Sequence, residues 1–184
     1  GTMPNDKLYT FKVNVYEPAL MTIKTSDRAR LDYGVKLLGT RFTELLSLRD
    51  NNLATPENVA PLIAYAGETT TLLYDTMGDD SLTNEERLDT LFGATVQVKA
   101  METIAQETEQ LEHSRDAFGT LLDQVDRKLT QNVTVYASST NLDRVKEYIG
   151  THIDAVSALL PEVANGSAAQ KQALARIEVM QEEV

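Results

Sequence analysis

Thr83-Asn84-Glu85-Glu86-Arg87-Leu88-Asp89-Thr90-Leu91-Phe92 opens the stretch that decides the fold. The Thr83 hydroxyl can accept from the Glu86 amide while the Glu86 carboxylate reaches back to the Thr83 amide, a capping box that starts a helix. Behind it Leu88, Leu91, Phe92, Val96 (or Thr95), Val98, Met101, Ile104, Ala105 and Leu111 keep mostly three-to-four spacing, the stripe of an amphipathic helix weakened locally at Gly93. Upstream, Thr55-Pro56-Glu57 gives a cap residue, proline at the first helical position and an acid in the first turn. That helix carries Val59, Leu62, Ile63, Ala66, Leu73 and Met77 before Gly78. Further upstream Ser26-Asp27 opens the most strongly apolar face, through Leu31, Val35, Leu38, Phe42, Leu45, Leu46 and Leu48 to the turn Asp50-Asn51-Asn52.

Downstream the period continues in Phe118, Leu121, Leu122, Val125, Leu129 and Val133, with a break or kink expected near His113 inside the polar run from Glu112 to Asp116. Val133-Thr134-Val135-Tyr136 is locally β-prone and Ser138 to Asn141 is rich in cap residues, so one helix should end there and another begin. The next carries Leu142, Val145, Ile149, Ile153, Val156, Leu159 and Leu160, stops around Pro161 to Gly166, and is followed by a polar tail helix over 168–184. Proline is confined to Pro4, Pro18, Pro56, Pro61 and Pro161, which permits long helices between. With no βαβ pattern and no repeat of fixed period, the expectation is an all-α fold. It is an elongated antiparallel bundle of about six helices, a single domain over 1–184 with Gly1-Thr2 read as the scar of tag cleavage.

Composition narrows function. The chain has 184 residues, with 17 Lys+Arg against 28 Asp+Glu and a net charge of −11. Such a chain is repelled by a phosphate backbone, so nucleic acid is not an expected partner, and anionic lipid surfaces are disfavoured likewise. No stretch approaches the roughly 20 apolar residues of a spanning helix. Absence of Cys excludes disulfides, thiolate zinc sites, iron–sulfur clusters and thiol nucleophiles, although cytosolic and exported proteins alike can lack it. The nine Gly are scattered singly, with neither a dinucleotide nor a Walker pattern, so no cofactor is implied. Asp79 to Thr83 lacks the alternating ligands of a calcium loop and reads as a capped turn.

His113, with Glu109 four residues before it and Glu112 and Asp116 beside it, could gather a divalent metal from one helix. The plainer reading is a solvated acidic face carrying one surface His. Diiron bundles need Glu three residues before His; here Gln110 precedes His113 and Ile149 precedes His152, so that pattern fails. His152 reads as a packed imidazole beside an apolar stripe. The tyrosines read as core-edge residues rather than a ligand-stacking strip, and the sequons at Asn132 and Asn165 matter only in a eukaryotic secretory pathway. Nothing assembles a hydrolytic triad, and an enzyme is not expected; a hydrolase using paired acids in an interhelical groove is the residual catalytic alternative.

Met3-Pro4-Asn5-Asp6-Lys7-Leu8-Tyr9-Thr10-Phe11-Lys12-Val13-Asn14-Val15-Tyr16-Glu17 resembles the leader of a bacterial family of domains of unknown function, L-P-G-D-x-L-Y-x-x-K-x-x-x-E, followed by an Ala- and Arg-rich helix. Pro4, Asp6, Leu8, Tyr9, Lys12 and Glu17 carry the likeness. Met3 and Asn5 depart from it, and Glu17 falls one position late. Ser26-Asp27-Arg28-Ala29-Arg30-Leu31 continues it, so the likeness covers roughly the first 50 residues.

The resemblance implies an extracytoplasmic region following a single membrane anchor, sometimes in proteins resembling anti-sigma factors, with no catalytic residues to carry over. On it rests the leading expectation: a non-catalytic, extracytoplasmic domain of a membrane-anchored bacterial protein, sensing or binding a protein or cell-envelope partner. Its anchor would lie upstream of Met3, and its oligomeric state is open. A native start at Met3 would instead argue for a cytoplasmic protein. Leu8, Phe11 and Val15 are expected to dock the first helix on the bundle, and Pro18 to end or kink it. A metal-binding or metal-responsive bundle centred on Glu109, His113 and Asp116 is the alternative. Titration calorimetry with zinc, nickel and calcium tests it: heat at tens of micromolar metal supports a site, and none removes it.

Overall fold

In a computed structural model the chain is described over residues 8–136, together with positions 3, 4, 6 and 147. The expected helix through Leu142 to Leu160, His152, Asn165 and the expected tail helix over 168–184 lie outside the described residues. Within them the structure is all-α, with no strand. Four long helices form the body: α3 (Asp27–Asp50), α4 (Pro56–Thr76), α5 (Asn84–Glu107) and α6 (Arg115–Tyr136).

Each start follows from local chemistry. The Ser26 hydroxyl accepts from the Ala29 amide to open α3. The capping box at Thr83 forms in both directions, Thr83 N–H to Glu86 Oε2 at 2.8 Å and Glu86 N–H to Thr83 Oγ1 at 3.1 Å. The backbone bond from Thr83, with help from its hydroxyl, holds the Glu86 carboxyl below its ordinary range. At the other end of α3, Asn52 sits at φ 57°, in the left-handed region that Asn tolerates. Leu53 N–H then reaches back to the Leu48 carbonyl at 2.8 Å, a Schellman closure. Between α5 and α6 the helix breaks at Thr108 into a 3-10 turn, Glu109–Ser114, which spans the expected joint at His113. The β-prone residues Val133 to Tyr136 are helical, continuing α6, because local propensity yields to an established helix.

Side-chain proximities set the directions. Gly34 near the start of α3 lies against Leu73 near the end of α4, so these two are antiparallel; Gly93 meets Val35 and Gly39 meets Gln97, so α5 runs parallel to α3. One core joins all four: Leu38, Phe42 and Leu45 from α3, Leu62 and Leu73 from α4, Leu91, Phe92 and Met101 from α5, Phe118 and Val125 from α6. The fifth helix is central, packed on α3 and α6, and Leu88, Leu91, Phe92, Ala94, Val96, Val98 and Met101 are all buried. This two-sided burial explains Val96 and Val98, which fit no single stripe. Buried Thr90 and Thr95 satisfy their hydroxyls on the carbonyls four residues back.

A shorter helix precedes the body, continuous from Tyr9 to Thr22 in three parts: α1 (Tyr9–Phe11), a π-helical turn (Lys12–Tyr16) and α2 (Glu17–Thr22). Pro18 does not end it, and the helix runs on as α2. The proline sits in the first turn of α2, and the widened turn before it, closed by Glu17 N–H to the Lys12 carbonyl, absorbs the missing donor and the bulk of the ring. The docking register is likewise corrected. Tyr9, Val13, Glu17 and Met21 face the bundle, whereas Leu8, Phe11 and Val15 point outward.

Close packing and open space make opposite predictions for two glycines. A Cβ at Gly34 would stand 2.5 Å from Leu73 Cδ2, in a fully packed layer, so Gly34→Ala should cost about 1–3 kcal/mol and lower the melting temperature by several degrees. At Gly119, in α6, a Cβ would meet nothing within 4 Å, so Gly119→Ala should be neutral or raise stability by about 0.5–1 kcal/mol. Thermal denaturation of both variants checks the pair; equal effects would contradict the packing.

Candidate functional site

Where the N-terminal helix crosses α3, two cations and two carboxylates are brought together around a phenol. Arg41 is 1 % exposed, an unusual place for a guanidinium unless it is fully paired. Its Nη2 donates to Glu17 Oε1 at 2.6 Å and its Nη1 to the Tyr9 hydroxyl at 3.1 Å. Its Nε lies 3.1 Å from Glu44 Oε2 as an ion-pair contact without hydrogen-bond alignment. The Tyr9 hydroxyl passes its own proton on to Glu44 Oε2 at 2.8 Å. Lys12 closes the group from the solvent side, donating to Glu44 Oε1 and lying 3.8 Å from Glu17 Oε1. Both cations also approach the Tyr9 ring, Lys12 Nζ at 5.5 Å and the Arg41 guanidinium carbon at 5.6 Å from its centroid, while Tyr65 of α4 meets it edge-on at 6.1 Å.

Tyr9, Val13 and Glu17 recur at four-residue spacing, which keeps them on one side of a helix, and all three are buried. The turn between them is π-helical, Lys12–Tyr16, closed by Glu17 N–H donating to the Lys12 carbonyl.

Charge is balanced inside the cluster, so each polar group stabilises another. Burial pushes the Tyr9 hydroxyl far above its ordinary value; the Arg41 charge opposes this, and the Glu44 and Glu17 carboxylates add to it. Tyr33, farther along the same crossing, is raised first by burial and then by Glu17. Beside the cluster a cleft of about 110 Å³ opens between the N-terminal helix and α3/α4, bounded by Glu17, Met21, Leu37, Tyr65, Glu68 and Leu72.

The residues singled out for metal binding fall elsewhere. Glu109 and His113 lie in the 3-10 turn and Asp116 in the first turn of α6, all exposed. In a 3-10 turn residues three apart eclipse, so the four-residue spacing from Glu109 to His113 does not put them on one face. Among the described residues no three His, Asp or Glu side chains converge as a metal would need. His113 instead lies near Glu57 at the start of α4, and Gln110 bonds Asn52 at 2.8 Å.

Sequence reasoning had placed Tyr9, Lys12 and Glu17 only within the leader pattern, and Arg41 and Glu44 not at all. A signal was available: Arg41 stands three residues after Leu38 and four before Leu45, inside the apolar arc of α3. Comparison with family models, curated proteins and solved structures gives no match to this chain.

The phenol offers a pH test with a definite sign. Because the folded state holds Tyr9 protonated well above its unfolded value near 10, the stability it contributes is complete below pH 10 and declines as pH rises beyond. Tyr9→Phe should therefore lose about 1–3 kcal/mol at neutral pH and show a shallower alkaline fall in melting temperature from pH 9 to 11. An unchanged alkaline slope would contradict the assignment.

Proposed function

We propose that the chain is a non-catalytic, extracytoplasmic helical domain of a membrane-anchored bacterial protein that binds a partner through the outer face of its N-terminal helix. The observation that carries the binding reading is a concentration of exposed apolar area. Leu8 is 65 %, Phe11 59 %, Val15 50 %, Tyr16 56 % and Ile23 67 % exposed, and these are five of the seven large hydrophobics left exposed among the described residues. Contiguous patches of this kind mark interaction sites, and an amphipathic helix presented on a rigid body is a common recognition element.

The buried cluster supports the same reading, since it uses the charged residues of this helix, Lys12 and Glu17, for attachment and leaves an uncharged surface outside. Location rests on the leader resemblance, to which Tyr9, Lys12 and Glu17 contribute. None of the described helices is long and apolar enough to cross a membrane.

Two readouts on cells making the full-length protein test the proposal. A photo-crosslinking residue at Phe11 or Tyr16 should give discrete adducts, and one at exposed Gln124 of α6 should not. Protease added to spheroplasts should reach the domain. Recovery only from the cytosol would overturn the location, and identical adducts from all three positions would overturn the binding face.

A further inference from the structure

We propose that the partner of this face is a second copy of the chain, docked across a two-fold axis with the two N-terminal helices antiparallel. The inference rests on the reading of the outer face as a binding surface, and adds what binds there.

Charge argues for it first. Lys12 and Glu17 are the only charged residues from Leu8 to Ile23, and both turn into the cluster with Arg41 and Glu44. What the helix shows to solvent is uncharged: Thr10, Asn14, Ala19 and Thr22 beside the exposed Leu8, Phe11, Val15, Tyr16 and Ile23. The first 24 residues carry Lys7, Lys12 and Lys24 against Asp6 and Glu17, a net +1, so the other 160 carry −12 of the total −11. Two copies therefore repel one another over most approaches, and this helix is where they can meet without opposing like charges.

Order along the helix argues for it next. A two-fold interface must be complementary to itself. Reversing the helix about the midpoint of Val15 and Tyr16 sets Leu8 opposite Ile23 and Phe11 opposite Leu20, apolar against apolar in both pairs. The axis falls in the π turn, where the two adjacent side chains Val15 and Tyr16 are both turned outward. Area agrees as well. Five large side chains, each half exposed or more, offer roughly 500 Å² per copy, and the small uncharged residues beside them bring the surface toward the roughly 800 Å² per partner of a specific interface. Such a contact should be reversible, with a dissociation constant in the micromolar range.

The test is sedimentation equilibrium of the full chain from about 1 to about 200 µM, at about 50 and about 300 mM salt. A reversible monomer–dimer equilibrium is expected, tighter at the higher salt because screening weakens the repulsion between the acidic bodies. Phe11→Ser combined with Ile23→Ser should weaken association at least tenfold while leaving the helical circular-dichroism signal and melting temperature in place, since both side chains are exposed. The chain has no Cys, so a single Tyr16→Cys beside the axis should give a disulfide-linked dimer on mild oxidation, and Gln124→Cys should not. A monomer throughout the range, a dimer indifferent to the double substitution, or equal cross-linking through Gln124→Cys would each overturn the proposal. A monomer in the centrifuge together with Phe11 adducts to another molecule in cells would reject the second copy and leave the binding face standing.

Discussion

Arg41 is the constraint around which the N-terminal third of this protein is arranged. A guanidinium that is 1 % exposed is tolerable only while its partners stay in place, and two of those partners, Tyr9 and Glu17, belong to a helix that would otherwise have a modest apolar hold on the bundle. Val13 and Met21 supply that apolar hold; the charged group supplies position. Removing a partner would leave a charge buried and unmatched, so the helix is fixed in register more firmly than its few buried side chains would achieve.

From that arrangement the outer surface follows. A helix apolar on one side is ordinary; this one is apolar on two, with polar contacts confined to the cluster. Facing Tyr9, Val13, Glu17 and Met21 inward obliges Leu8, Phe11, Val15 and Ile23 to face out. The structural account of the cluster and the functional account of the exposed face are thus two sides of one helix, and the second cannot be kept if the first fails.

The body of the fold was largely legible in the residues, and the site was not. The Thr83 capping box and the Ser26 cap depend on bonds between neighbours in sequence, and the structure shows these boundaries together with the Thr55-Pro56 start, where the Thr55 side chain makes no cap bond, and the joint near His113. Val133 to Tyr136 belong to α6 although their residues are locally β-prone, because a growing helix outweighs a weak local preference. The orientation of the first helix was misjudged for a different reason: with apolar residues on both faces, spacing alone offers two registers, and long-range charge pairing chooses between them. Arg41 and Glu44 stand three residues apart, and in the sequence only the apolar arc from Leu38 to Leu45 marks Arg41 as inside. A π turn has no composition of its own, and nothing in the residues Lys12 to Tyr16 announced it.

Native-state hydrogen exchange on an Arg41→Met variant tests the central claim most directly, since Met keeps apolar volume at the site and removes the charge. The account predicts that amides from Lys12 to Thr22 lose their protection while those of α5 and α6 keep theirs, the helix coming away from an intact bundle. Retained protection across Lys12 to Thr22, with stability equal to that of the parent chain, would show that apolar contacts alone hold the helix and that the cluster does not position it.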